Sequence, residues 1–372
     1  MSGAITDVAG IEVGHHTCTG PGSRTGVTVV LARAGAVAGV DVRGGGPGTR
    51  EIDALSPTTL VERIHAICLS GGSAFGLGAA HGVMEWCRER GLGVDLGRGP
   101  TEVVPVVPAA VIFDLGRGGE FTAWPTPADG RAAAESAGPF VECRGTRGAG
   151  TGALSGGLQG GVGSASQQVG DIWVGALVVL NSSGSAIDPG SGLPWVPGAA
   201  DLHPATAAEI AALEEARLAP RIPITPNDLG RQSGPSHTGP LNTVIGVIAT
   251  SADLTVAEAT KLASVGHDGL ARAVRPAHSM FDGDTIFALA TGEHRLMPLP
   301  DPLNTDADRD RYGATRSRPG LLNALLEAGA NCFAEACTDA LVSAVQHRSD
   351  PAGPPSYRHC APGVFAAHEP HR

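Results

Sequence analysis

Residues 241–250 read Leu241-Asn242-Thr243-Val244-Ile245-Gly246-Val247-Ile248-Ala249-Thr250. Val244–Thr250 is apolar and largely β-branched, the pattern of a buried strand. The residues before it, 182–241, are rich in Pro, Gly and Ser, the composition of a mobile linker. A threonine at the head of a strand and behind a linker has two readings. It is one more β-branched residue in a sheet, or it is the N-terminus of a chain that cuts itself between Asn242 and Thr243. In the second reading one residue supplies both a hydroxyl nucleophile and a free amine base. An unperturbed α-amine, with pKa about 7.7–8.0, is partly neutral near pH 7. β-Branching also restricts how far the hydroxyl can swing.

Downstream, helical periodicity runs over Thr255–Ala273 with a start signal at Thr255, and Thr285–Thr291 reads as a strand. Leu321–His347 predicts a long helix with a broad apolar side, buried between layers. Upstream, Gly26–Arg33 and Ala36–Val42 predict two strands ahead of the break Gly44-Gly45-Gly46-Pro47-Gly48. Ile64–Ser70 predicts a buried strand that enters a helix of about 74–90 through Gly71-Gly72-Ser73-Ala74-Phe75-Gly76. Val103–Val107, Ala109–Leu115 and Ile172–Asn181 are further strand candidates, and Pro204–Arg217 a short helix. Residues 348–372 read as a frayed tail.

Length allows one large domain or two ordinary ones, with a sizeable core. The net charge of -11 argues against nucleic acid and anionic membranes as partners. Glycine, at 54 of 372 residues, is about twice as frequent as usual and not periodic. Backbone packed closely on backbone or ligand is the physical use of such glycines. The aromatic fraction of 4% means small residues fill much of the core. The seven cysteines show neither a CxxC pair nor zinc-like spacing, which predicts reduced thiols and a cytoplasmic protein. The N-terminus lacks the basic and apolar regions of a signal peptide, and no apolar stretch reaches membrane-spanning length.

Several chemistries find little support. The loop at 70–76 follows a strand and opens a helix, a setting for anions, yet it is not GxGxxG. Lys261 is the sole lysine, so a Walker lysine is impossible there. The glycines of 148–163 lack the strand-to-helix setting and following acid of a dinucleotide site. No GxSxG elbow exists, and Gly72-Ser73-Ala74 matches one only in part. His15 and His16 are adjacent, so on a strand they point apart and make a poor metal pair. Met280-Phe281-Asp282-Gly283-Asp284-Thr285 brings two carboxylates into one turn before a strand. Alone, that turn reads as an Asx-capped bend. Beside an N-terminal threonine, one carboxylate can orient the hydroxyl or ammonium and the other can hold the first.

The chain resembles the L-aminopeptidase/D-esterase (DmpA-type) family, which includes β-peptidyl aminopeptidases and the nylon-oligomer endohydrolase. The matching segments run in order through Thr6–His15, Ala38–Glu51, His65–Leu77, Val107–Asp114, Gly148–Ala153, Gly160–Ser166, Asn242-Thr243 and Asp282–Thr285. The resemblance implies an α/β fold, a four-layer α/β/β/α sandwich of the N-terminal-nucleophile-like type shared with ornithine acetyltransferase. It implies a single catalytic domain over 1–372, processed into an α chain of 1–242 and a β chain of 243–372. Thr243 is then the nucleophile, Asp282 and Asp284 the acidic pair that orients it, and Asn181 an amide donor at the oxyanion. The implied substrate is a small amide: a short peptide, an amino-acid amide or an aminohexanoate oligomer. The implied protein needs no metal or cofactor and assembles as a homo-oligomer of αβ units. An acyltransferase of the ornithine acetyltransferase type, using the same threonine, is the alternative. Two departures bear on substrate choice and processing rate. The Gly-Lys of many relatives is Gly156-Gly157 here, and a tyrosine of some members is Phe113. Phe113, Gly157 and Ser73 are the pocket candidates.

Overall fold

A computed structural model describes residues 3–20, 22–117, 119–198, 200–219, 242–296, 318–346 and 353–365. In chain order the strands are β1 (Ile11–Thr17), β2 (Gly26–Val42), β3 (Thr49–Arg50), β4 (Arg63–Ser70), β5 (Val94–Asp95), β6 (Val103–Val104), β7 (Ala109–Val111), β8 (Leu154–Ser155), β9 (Leu158–Gln159), β10 (Gly161–Val169), β11 (Ile172–Leu180), β12 (Ile245–Ala252) and β13 (Thr285–His294). The helices are α1 (Ser73–Gly76), α2 (Ala79–Glu89), α3 (Pro127–Glu135), α4 (Ala207–Leu218), α5 (Val256–Ala273), α6 (Arg318–Ser343) and α7 (Tyr357–Cys360).

Nine strands hydrogen-bond in the order β10-β11-β12-β13-β2-β4-β7-β3, with β1 also on β2. The long strand β2 joins the two halves of this sheet. Its first half pairs with β1 and β4, and its second half, Val37–Val42, pairs antiparallel with β13. The register shifts between Leu31 and Ala36, beside Gly35 in the left-handed region at φ 78. That irregularity is why sequence pattern splits β2 into two strands: the break is a bulge within one strand, not a turn.

Side-chain alternation sorts the strands into four layers. Val178, Ile248 and Ile286 face α5 and α6, meeting Leu262, Leu270 and Phe333 in one core. Their neighbours Leu177, Val179, Val247, Phe287 and Leu289 face the other way and meet Val30, Ile67 and Leu69 in a second core between the sheet halves. Val27, Val29, Leu31 and Cys68 point outward again, onto Val83 and Trp86 of α2 and Ala133 of α3. Three cores separate helix, sheet, sheet and helix, so the expected α/β/β/α sandwich is the architecture.

Small residues set the spacing of the layers. A Cβ on Gly163 of β10 would lie 2.2 Å from both Ala336 O and Ala340 N of α6. One on Gly269 of α5 would lie 2.2 Å from Ala330 O of α6. These contacts are backbone on backbone, and no neighbouring side chain can yield to relieve them.

Several sequence expectations need correction. The helix expected over 74–90 is interrupted, α1 ending at Gly76 and α2 starting at Ala79. The strand expected over Val103–Val107 is only Val103–Val104, and Ala109–Leu115 only Ala109–Val111. Helix α6 lies in an outer layer rather than between layers; its broad apolar side is covered by the sheet and α5. The tail is not frayed over 353–365: Tyr357 is fully buried and its hydroxyl donates to Gly192 O at 2.7 Å. Of the linker expected over 182–241, residues 182–198 and 200–219 are structured around α4, while 220–241 lie outside the described residues.

Gly163→Val is expected to cost about 1–3 kcal/mol of stability. Urea unfolding of the purified protein measures it, and an unchanged midpoint would contradict the close backbone packing.

Candidate active site

Asn242, Thr243 and Val244 lead into β12 and extend its parallel pairing with β13 toward the turn Ser279–Asp284. Asn242 forms a parallel bridge with Asp282. Its N–H donates to Phe281 O at 3.1 Å, and its carbonyl accepts from Gly283 N–H at 3.1 Å. Thr243 N–H donates to Asn181 O at 2.7 Å, at the end of β11. Val244 N–H donates to Asp284 Oδ1 at 2.9 Å, and Val244 O accepts from Thr285 N–H at 3.1 Å. The Asn242–Thr243 peptide is thus held from both sides. Thr243 Oγ1 donates to Asn242 O at 2.5 Å, so the hydroxyl lies against the carbonyl of the preceding residue. Asn181, Asn242, Thr243, Asp282 and Asp284 are all at least 95% buried.

The two carboxylates are saturated by other donors. Asp282 Oδ1 accepts from Ser183 Oγ at 2.9 Å, and Oδ2 from Ser279 N–H and Oγ at 3.0 and 2.5 Å. Asp284 Oδ2 accepts from His278 N–H at 3.1 Å and meets His278 Nδ1 at 2.8 Å. Both carboxylates fix the turn that aims at Asn242–Thr243, through Gly283 and Val244. The glycine run 44–46 buttresses the same turn, with Gly46 N–H on Asp282 O at 2.8 Å and Gly45 N–H on Ser279 O at 3.2 Å. Gly283 itself has no room for a side chain: a Cβ would lie 2.6 Å from Gly46 O and 2.8 Å from Thr243 Oγ1.

Asn181 meets Thr243 through its backbone carbonyl. Its side-chain Oδ1 accepts from Leu154 N–H at 3.0 Å and Arg117 Nη1 at 2.5 Å, and its Nδ2 donates to Phe113 O at 3.4 Å. Gly283 N–H, not the Asn181 amide, is the donor on the Asn242 carbonyl in this uncleaved chain.

Arg117 is the residue that sequence reasoning missed. It is 6% exposed, and its Nη2 donates to Asn242 Oδ1 while Nη1 donates to Asn181 Oδ1. Its guanidinium lies 5.5 Å from the Phe113 ring centroid. The signal in the sequence is slight: one arginine in the glycine-rich turn after Asp114.

Of the pocket candidates, Phe113 adjoins the site through these contacts. Gly157 packs on α4, where a Cβ would lie 2.4 Å from Ala216 O. Ser73, at φ 51, donates its N–H to Ile112 O at 2.9 Å. Beside Gly157 is a cavity of about 440 Å³, lined among others by Gly156, Ser185, Trp195, Glu214, Arg217 and Arg275. It adjoins the site along the chain, because Gly156 N–H donates to Ser182 O at 3.3 Å and Ser183 holds Asp282.

For a metal, one trio among the described residues has donor atoms within 4.8 Å of one another: His16, Cys18 and Asp129. His16 Nε2 meets Asp129 Oδ1 at 3.1 Å there, and the Cys18 thiol is pushed up to about 12 by burial and by Asp129. None of the three is a residue of the Thr243 site. All seven cysteines are free thiols. No described helix is long and apolar enough to cross a membrane.

The profile of Peptidase family S58 matches residues 3–351. An uncharacterized aminopeptidase of Mycobacterium bovis is 42% identical over 377 aligned positions, covering 98% of this chain and 99% of the relative. A 6-aminohexanoate-oligomer endohydrolase of Paenarthrobacter ureafaciens is 30% identical, covering 87% and 85%. Among solved structures, a Burkholderia sp. beta-aminopeptidase superposes with a TM-score of 0.63 at 22% identity, covering 99% and 96%. The L-aminopeptidase D-Ala-esterase/amidase of Ochrobactrum anthropi, described as a variant of the Ntn hydrolase fold, gives 0.62 at 20% identity, covering 92% and 88%. These two structural likenesses speak for the fold.

Burial pushes Asp114, which accepts from Gly72 N–H at 2.7 Å, up from 3.8 to about 6. Between those values the folded chain holds a proton that the unfolded chain lacks, so this group's contribution to stability falls as pH rises. His267 and His15, lowered by burial to about 4 and about 3, act in the opposite sense and lose stability as pH falls below 6.5. Asp114→Asn leaves both histidines in place. Relative to the parent, it is expected to gain about 2 kcal/mol between pH 4 and 7. Urea unfolding at both pH values checks this, and a constant difference would contradict it.

Proposed function

The chain belongs to peptidase family S58, and from that premise we propose that it cuts itself between Asn242 and Thr243 and then hydrolyses small amides with Thr243 as nucleophile. It is a hydrolase of the N-terminal-nucleophile fold. The observation that carries the finer reading is the contact of Thr243 Oγ1 with the Asn242 carbonyl, which also accepts from Gly283 N–H.

In the first reaction Thr243 Oγ1 adds to the Asn242 carbonyl carbon. The oxygen that gains negative charge already faces Gly283 N–H, a backbone dipole aimed where charge develops. The C–N bond then breaks, the hydroxyl proton ends on the Thr243 nitrogen, and an ester joins Asn242 to Thr243. Water opens the ester, leaving an Asn242 carboxylate and restoring the Thr243 hydroxyl. The freed α-amine has a ready partner in Asn181 O, which accepts from the same nitrogen before cleavage.

In the second reaction this amine takes the Oγ1 proton as the hydroxyl attacks a substrate amide. The proton passes to the departing amine, and water hydrolyses the acyl-enzyme. Asp282 and Asp284 act by holding Gly283 and Val244, and thereby the oxyanion donor and the nucleophile. Chains 1–242 and 243–372 act together as one catalytic domain, and the αβ units assemble as a homo-oligomer. The substrates are short peptides, amino-acid amides or aminohexanoate oligomers, as the names of the relatives suggest.

Thr243→Ala is expected to run as one full-length chain on a denaturing gel and to lack amidase activity. A fully cleaved, active Thr243→Ala protein would sink the proposal. Gly283→Ala puts a methyl within 2.8 Å of Thr243 Oγ1 and is expected to slow self-cleavage by about 10²-fold or more. The rate of appearance of the two chains measures it, and an unaltered rate would remove Gly283 from the mechanism.

A further inference from the structure

We propose that His16, Cys18 and Asp129 bind a zinc ion, at a site separate from the Thr243 chemistry and independent of whether the chain cleaves itself. One donor atom from each residue lies within 4.8 Å of the other two. An imidazole nitrogen, a sulfur and a carboxylate oxygen together suit zinc. They do not suit calcium or magnesium, which take oxygen ligands.

The packing of α3 on β1 assembles the trio. Alternation along a strand puts Gly14, His16 and Cys18 on one side and His15 on the other. The ladder carries this alternation past the end of β1: His16 stands opposite Val27, and Cys18 N–H donates to Thr25 O at 3.1 Å. His15 meets Thr28 Oγ1 at 2.9 Å instead. Adjacent histidines point apart, whereas a histidine and a cysteine two residues apart share a side. Gly14 lets the helix come close on that side, since a Cβ there would lie 2.0 Å from Ala133 O. Asp129 precedes Ala133 by one helical turn and so shares its face of α3. His16 and Cys18 follow Gly14 along the strand. The close approach at Gly14 therefore sets Asp129 beside His16, with Oδ1 3.1 Å from His16 Nε2.

The carboxylate is oriented before any ion arrives. Its Oδ2 accepts from Thr126 N–H and from Thr126 Oγ1, both at 2.7 Å, which turns Oδ1 toward the other two ligands. Hydrogen bonds of this kind behind a ligand are worth about ten- to a hundredfold in metal affinity. The ion displaces the Cys18 thiol proton. Thiolate and carboxylate then balance its two positive charges, and the imidazole stays neutral. The His16 and Asp129 side chains are 35% and 22% exposed, so the ion has an entry path and its fourth position goes to water. Once bound, it ties the end of β1 to the first turn of α3.

The test uses the full chain, purified without a metal-binding tag, stripped with a chelator and dialysed against zinc. After desalting, metal analysis is expected to find a stoichiometric amount of zinc. Calorimetric titration is expected to show zinc affinity at least about tenfold weaker in His16→Ala and in Cys18→Ser. Cobalt, offered in place of zinc, is expected to give the parent chain a thiolate-to-cobalt charge-transfer band. Cys18→Ser is expected to abolish that band, and Cys360→Ser, at the other partly exposed cysteine, to retain it. Circular dichroism checks that each variant is folded; where one of the His16 and Cys18 variants is not, the other carries the comparison. A parent chain that retains no zinc overturns the proposal. So does a cobalt complex that lacks the thiolate band. So do folded His16→Ala and Cys18→Ser chains that bind zinc as tightly as the parent.

Discussion

The parallel pairing of β12 with β13 is the constraint on which the site depends. Ile245 lies opposite Thr285 in that register, and continuing it backward brings Asn242 opposite Asp282. Only this register sets Gly283 N–H on the Asn242 carbonyl and the Asp284 carboxylate on Val244 N–H. A slip of one residue would turn Thr243 to the other face of the strand. The register is fixed in turn by the alternation of Ile245 and Val247 against Ile248, and of Phe287 and Leu289 against Ile286, between two separate cores.

The glycine content follows from the same economy of space. Helices α5 and α6 approach each other and the sheet backbone to backbone, at Gly269 and Gly163. Large side chains would push the layers apart and shift the end of β11, where Asn181 meets Thr243. Gly44, Gly45 and Gly46 do for the Asp282 turn what those glycines do for the layers. With so few aromatic residues, backbone contact supplies the rigidity that bulky packing supplies elsewhere.

Much of this was legible in the sequence. Thr243 at the head of an apolar run and the Asp282-Gly283-Asp284 turn are local signals, and their juxtaposition follows from β12 and β13 being neighbouring parallel strands. The number of layers was not legible by periodicity, because a strand buried on both faces has no polar side to mark its orientation; the family resemblance supplied it. Nor was β2 legible as one strand, since the bulge near Gly35 looks like a turn. Arg117 was invisible for a different reason. Its partners Asn181 and Asn242 lie 64 and 125 residues away in the chain, and nothing in a glycine-rich turn announces a buried guanidinium. The order around Tyr357 was missed because Pro and His near a terminus look like a solvated tail.

The central claim is that the buried, doubly braced Asn242–Thr243 peptide is a bond the protein breaks itself. Intact mass spectrometry of the purified parent chain tests it directly. The account predicts two species matching residues 1–242 and 243–372, their sum exceeding the full-length chain by one water. A single species at the mass of the whole chain, unchanged on prolonged incubation, would contradict it.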